Sequence, residues 1–242
     1  MQRSGEYAIS QVNMALQIGT SVLDAKNIST ADTPYDAIST GFTFCFWGLI
    51  TSISSGNTPD ACFKNDYGGS AGFRCGLVNN TTTGVFQFNG NNPNWNPTLT
   101  GNVSTNQWGF YAYVLDTSGT DTMYIYYGGT TASSLSSVST TSGVPASITS
   151  NNVTMLLGGR GGGGVDNNCW TGYLDHIRIY NTPLSQNQLE TLRWLPAGFN
   201  EFTGCISAWR LDSTSTVIDY LQGSNGTPTV DAVVDGPPVR GA

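Results

Sequence analysis

Few side chains in this chain have the types and spacing for chemistry. Hydrolysing a glycosidic bond takes one protonated and one ionised carboxyl across the bond, and the only glutamates are Glu6, Glu190 and Glu201, far apart in the sequence. Asp116 and Asp121 flank a short loop, where turn-forming aspartates are ordinary. The single histidine, His176, would have to serve any Ser-His-Asp arrangement. Regular strand alternation puts its neighbour Asp175 on the opposite face, so no catalytic residue is expected. Two binding constellations remain. In NGNNPNWNPTLTG, Trp95 stands between Asn94 and Asn96, an indole among amides that suits stacking on a sugar ring; the competing reading folds Trp95 back onto the core. Asp166, Asn167 and Asn168 offer oxygen ligands suited to calcium, or simply a turn.

Five cysteines, Cys45, Cys62, Cys75, Cys169 and Cys205, are an odd number without C-x-x-C spacing, which argues against zinc. Free buried thiols are expected, with a Cys62–Cys75 bridge across a hairpin as the alternative. The glycine run Gly158 to Gly164 is followed by neither Lys-Ser/Thr nor a helix, so it is read as a tight turn and not as a phosphate loop.

These residues must be carried mainly by strands. Gly41 to Ile53 is apolar on both faces, with Phe42, Phe44 and Phe46 opposing Cys45, Trp47 and Leu49, which predicts a central strand covered on both sides. Gln107 to Asp116 and Thr122 to Tyr127 flank the loop TSGTD as a hairpin. Ala61 to Leu77 turns at Gly68-Gly69, and further strands are expected at Val12–Leu23, Gly84–Phe88, Val153–Leu157 and Thr203–Leu211. Thr130 to Ser150 is rich in Ser and Thr and reads as a surface connection. Trp170 to Tyr180 alternates as a long strand, with Tyr173, Asp175, Ile177 and Ile179 on one side. Pro183 stops it, and Ser185 with Gln188 forms a capping box that opens a short helix near residues 186–194.

The run GYLDHIRIYNTPLSQNQL resembles the terminal signature of laminin-G-like domains of the concanavalin A-like lectin/glucanase superfamily. Trp47 in its strand, Trp108 with Gly128, the LLGGR of Leu156–Arg160 and the later Trp209, Leu211, Asp212, Asp219, Gly223 and Gly226 resemble further family motifs. His176 stands where that pattern often has an acid. The resemblance implies an all-β, concanavalin A-like jelly-roll sandwich of two antiparallel sheets with one short helix. It also makes calcium the most credible cofactor, whereas the E-x-D-x-E strand of the superfamily's glycosidases is absent. The expected organisation is an arm at residues 1–11, a single sandwich at 12–230 and an extended tail at 231–242.

Composition narrows the partners. The 242 residues carry 10% charged side chains and a net charge of −7. With no basic cluster, nucleic acid is not an expected partner. No apolar run is long enough for a membrane-spanning helix, and no secretory signal is visible. The expectation is a non-catalytic structural or interaction protein made in a host cytoplasm: a virion decoration or fibre component that contacts other virion proteins or copies of itself. The alternative is a soluble or cell-surface lectin that binds surface glycans.

Overall fold

The computed structural model describes residues 14–19, 28–30, 35, 41–52, 59–65, 72–77, 84–88, 104–149, 152–159, 169–221, 224–228 and 232–239. In chain order these hold β1 (Met14–Gly19), β2 (Ile28–Ser29), β3 (Phe42–Ile50), β4 (Asp60–Asn65), β5 (Gly72–Leu77), β6 (Gly84–Phe88) and β7 (Trp108–Asp116). There follow β8 (Thr122–Gly128), β9 (Ser136–Thr140), β10 (Leu156–Leu157), β11 (Gly172–Tyr180), α1 (Gln186–Leu192), β12 (Cys205–Trp209), β13 (Thr227–Pro228) and β14 (Ala232–Asp235). They pair into two antiparallel sheets, one ordered β14-β1-β11-β3-β7-β8-β9 with β12 also on β11, the other β13-β2-β10-β4-β5-β6. The expected jelly-roll sandwich is therefore the fold.

Alternation along the central strands builds two apolar layers. Phe42, Phe44 and Phe46 of β3 and Tyr111, Tyr113 and Leu115 of β7 meet Phe73, Cys75 and Leu77 of β5 between the sheets. The opposite faces present Cys45, Trp47, Phe110, Ala112 and Val114 to Leu189 and Leu192 of α1. A strand covered on both sides must be apolar on both sides, which is why β3 reads as it does. The capping box of α1 is formed by Ser185 and Gln188. The helix ends at Leu192, two residues short of the expected end, where Trp194 and Leu195 donate to carbonyls three residues back and tighten the last turn. Trp47 Nε1 donates to the Arg193 carbonyl at 2.8 Å, satisfying one of the groups exposed by that ending.

Three expectations are corrected. The Ser/Thr-rich connection contains β9, an edge strand with mostly exposed residues that completes the large sheet beside β8; strand pairing overrides its loop-like composition. The strand expected over Val153–Leu157 is paired only at Leu156–Leu157. The alternation of β11 is broken midway. Asp175 lies opposite Trp47, but Arg178 lies opposite Cys45, so one extra residue is accommodated between them. His176 takes a φ of 47° at this bulge. Parity then reverses: Leu174 faces the inter-sheet core before the bulge, and Ile177 and Ile179 face it after.

Candidate functional site

Trp95, Asn94 and Asn96, and the calcium candidates Asp166, Asn167 and Asn168, lie outside the described residues. Among the described residues no three of His, Cys, Asp and Glu converge as metal ligands, and no helix is long and apolar enough to cross a membrane. All five cysteines are free. Cys62 and Cys75 face each other across β4 and β5 as thiols. Burial pushes both thiols well above their ordinary range and Cys45 up to about 12, which keeps them protonated and unreactive.

Several acids are committed to holding the sandwich together. Glu201 accepts from Arg178 Nε and from the Gly198 amide, each at 2.8 Å, while its second oxygen takes the Tyr180 hydroxyl. Arg178 has no exposed side chain and also donates to the carbonyls of Leu195 and His176. Glu190 pairs with Arg193 at 3.3 Å and accepts the Leu135 amide. Arg193 in turn reaches the carbonyls of Ser133, Gly129 and Thr131, tying the end of α1 to the connection after β8. Asp60 is paired with Arg74 in the smaller sheet. Sequence spacing gave no sign of the Glu201–Arg178 pair, because Glu201 reaches β11 from a loop 23 residues away.

The bulge brings Asp175 and His176 together. Their separation was expected from regular alternation, but the extra residue swings both side chains into one buried pocket, with Asp175 Oδ2 3.4 Å from His176 Nε2. Asp175 Oδ1 accepts the amides of His176 at 2.7 Å and Leu211 at 3.0 Å. His176 Nδ1 accepts the Ala197 amide at 3.2 Å, which leaves the proton of a neutral ring on Nε2, facing the carboxyl. Burial pushes Asp175 up to about 7 and His176 well below the usual imidazole range, with Arg178 and Arg210 adding to the latter. The pair is sealed: Asp175 is fully buried and His176 is 2% exposed. A substrate has no route to it, so it is a structural element of the bulge.

Among the described residues, accessible polar and aromatic side chains come together on the outer face of the large sheet. There β7, β8 and the start of α1 enclose a groove of about 410 Å³, lined by Tyr124, Tyr126, Asp116, Ser118, Gln186 and Gln188 among others. Met123, Ile125 and Tyr127 of β8 pack on the inter-sheet core, so alternation turns Tyr124 and Tyr126 to the outer face, where Tyr124 is half-buried and Tyr126, packed into the apolar layer beside α1, is 8% exposed. Their rings lie side by side, with centroids 5.8 Å apart and planes 21° from parallel. Asp116 Oδ1 accepts the amide and hydroxyl of Ser118 at 2.9 and 2.7 Å. Burial, then Tyr124 and Asp116, raise the Tyr126 hydroxyl above its ordinary range, so it is a protonated donor at neutral pH. The facing wall is fixed at three points. The Leu184 amide donates to Thr43 Oγ1 at 3.0 Å, that hydroxyl donates to Thr182 O at 2.9 Å, and Gln186 Nε2 donates to Leu135 O at 2.8 Å. The sequence pattern TMYIYY contained the signal for this groove, two tyrosines on the face opposite the core residues, but strand prediction alone does not say what stands across from them.

A two-layer antiparallel sandwich with a helix against one outer face defines a lectin-like module. Residues 24–190 match the family described as the Concanavalin A-like lectin/glucanases superfamily, and the chain belongs to it. The fold is similar to that of a protein from Bacteroides ovatus assigned to carbohydrate binding: TM-score 0.64 and 14% identity over 93% of this chain and 60% of that one. It is similar also to the heptameric SAP-like pentraxin of Limulus polyphemus: TM-score 0.57 and 15% identity over 93% of this chain and 94% of that one. The chain thus spans 60% of the length of the first of these proteins. No curated protein sequence matches it.

Proposed function

We propose that this chain is a non-catalytic carbohydrate-recognition module. What carries the reading is membership of a lectin/glucanase superfamily across residues 24–190. Its support against hydrolysis is the use made of four acids: Glu201, Asp60 and Asp175 are buried against a basic partner or backbone amides, and the partly exposed Glu190 holds Arg193 and the Leu135 amide. Retaining and inverting hydrolysis need two carboxyls facing one another across an open cleft, and the groove on the outer face is lined by one, Asp116. The fold likeness to a protein assigned to carbohydrate binding adds support at the level of architecture. A glycan array probed with the intact chain, in calcium and in EDTA, tests the proposal. Saturable binding to a defined glycan without turnover is expected; binding to no glycan in either buffer refutes it. Loss of binding in EDTA alone would assign calcium a part, with Asp166, Asn167 and Asn168 as the first residues to replace.

The second reading is a virion decoration or fibre component. It is favoured by the low charge of the chain, 10% of residues, and by the Ser/Thr-rich surface around β9. Adhesion to a host surface through glycans would join the two readings, and particle-fraction immunoblotting tests the localisation.

A further inference from the structure

We infer that the outer-face groove between β8 and the start of α1 is a binding site for one or two units of a neutral pyranose sugar, with Tyr124, Tyr126 and Asp116 as its recognition residues. The inference rests on the carbohydrate reading above and assigns it a place. Size is the first argument: about 410 Å³ falls within the ordinary range for small-ligand pockets, roughly 300–1,000 Å³.

Chemistry is the second. A pyranose offers an apolar C–H face and a rim of hydroxyls that both donate and accept, so it wants an aromatic surface next to mixed hydrogen-bonding groups. Tyr124 provides a half-buried ring for that face, held in place by the nearly parallel and more deeply buried ring of Tyr126. Among the described residues neither phenol hydroxyl has a hydrogen-bond partner, and Asp116 Oδ2, Gln186 Oε1 and Gln188 Nε2 have none either. Donors and acceptors are thus both on offer, and a carboxylate oxygen is the strongest acceptor for a sugar hydroxyl.

Charge is the third. Asp116 is the one ionisable acid or base among the lining residues apart from the two phenols, and the chain as a whole carries −7. A sugar carboxylate would meet that acid with no cation to offset it, so neutral glycans are selected over sialylated ones. Rigidity is the fourth. The wall opposite the tyrosines is pinned to β3 through Thr43 and to the β8–β9 connection through Leu135, so little ordering free energy is lost on binding.

The test uses the intact chain on an array of matched neutral and sialylated oligosaccharides. Isothermal titration of the best neutral glycan into the wild type, Tyr124→Ala, Tyr124→Phe, Asp116→Asn and Trp95→Ala then follows. Asp116→Asn keeps an oxygen for the Ser118 amide, and Tyr124→Phe keeps the ring, so unchanged melting temperatures are expected for both. The expected result is a tenfold or greater loss of affinity for Tyr124→Ala and Asp116→Asn, a smaller loss for Tyr124→Phe, and no change for Trp95→Ala. Glycan binding that survives Tyr124→Ala and Asp116→Asn but is lost in Trp95→Ala overturns the groove and leaves the carbohydrate reading standing. Preference for the sialylated member of a pair overturns the ligand class. Absence of any glycan binding overturns both.

Discussion

The Asp175–His176 pair makes a pH experiment with a distinctive outcome. In the folded protein burial drives Asp175 up to about 7 from an ordinary 3.8 and holds His176 neutral well below 6.5. An acid whose folded pKa lies above its unfolded one contributes stability that is complete below the unfolded value and is lost as pH rises through the folded value. A base whose folded pKa is depressed acts in the other direction, destabilising the fold as pH falls below its unfolded pKa. Between about pH 4 and 6.5 the folded state holds one proton on Asp175 and the unfolded state holds one on His176. The two effects then offset, and the pair contributes a nearly flat stability profile in that window.

Separating the partners should uncover each slope. His176→Asn keeps a residue tolerant of the φ of 47° at the bulge and leaves the raised acid alone. Its stability should climb relative to wild type as pH falls from 6.5 to 4, by up to about 3 kcal/mol, because only the wild type carries the offsetting histidine. Asp175→Asn leaves the buried histidine alone, and its stability should fall below pH 6.5 by roughly 1.4 kcal/mol per pH unit relative to wild type. Urea unfolding followed by tryptophan fluorescence at half-unit steps from pH 4 to 8 measures both. Since all other groups titrate alike in the three proteins, only the differences matter. If both variants run parallel to the wild type across this range, the buried pair does not exchange its proton as described and the reasoning fails.

Two further substitutions probe the frame that presents the groove. Gly172 has a φ of 138°, and a Cβ there would sit 2.0 Å from the Leu49 carbonyl oxygen, backbone that cannot give way; Gly172→Ala should therefore cost roughly 3 kcal/mol or more, read as a fall in urea midpoint. Arg178→Met removes the cation from a buried pair and strands Glu201 among Tyr180 and Cys205; a loss of about 3–5 kcal/mol is expected, with a double change to an apolar pair recovering much of it in a thermal-melt cycle.

Legibility in the sequence followed the range of the interactions involved. The central strand β3, the β7–β8 hairpin and the capped start of α1 were readable because each is set by residues close in sequence: alternation, a glycine-containing turn, a reciprocal cap. The terminal GYLDHIRIY signature identified the fold for the same reason. Strand β9 was not readable. Its Ser-rich composition is that of a loop, and it becomes a strand only because the Tyr124–Met123 edge of β8 lies beside it. The bulge in β11 was hidden as well. Asp-His-Ile-Arg-Ile alternates perfectly well on paper, and only the register against β3 shows that one residue has been taken out of the pleat.

That bulge bears directly on function. With strict alternation, Asp175 and His176 would lie on opposite faces, one of them turned toward the layer beneath α1. The inserted residue instead gathers both with Arg178 around the Leu195–Glu201 segment, where Ala197 and Glu201 answer them. Ionisable groups that resemble a catalytic set by type are thereby buried as a brace, and Tyr124, the glutamine amides and Asp116 are left on the partly exposed outer face. The described lining of the groove has aromatic area, hydrogen-bonding capacity and one carboxylate, Asp116. Among the described residues this division of labour supports the proposed recognition of a carbohydrate.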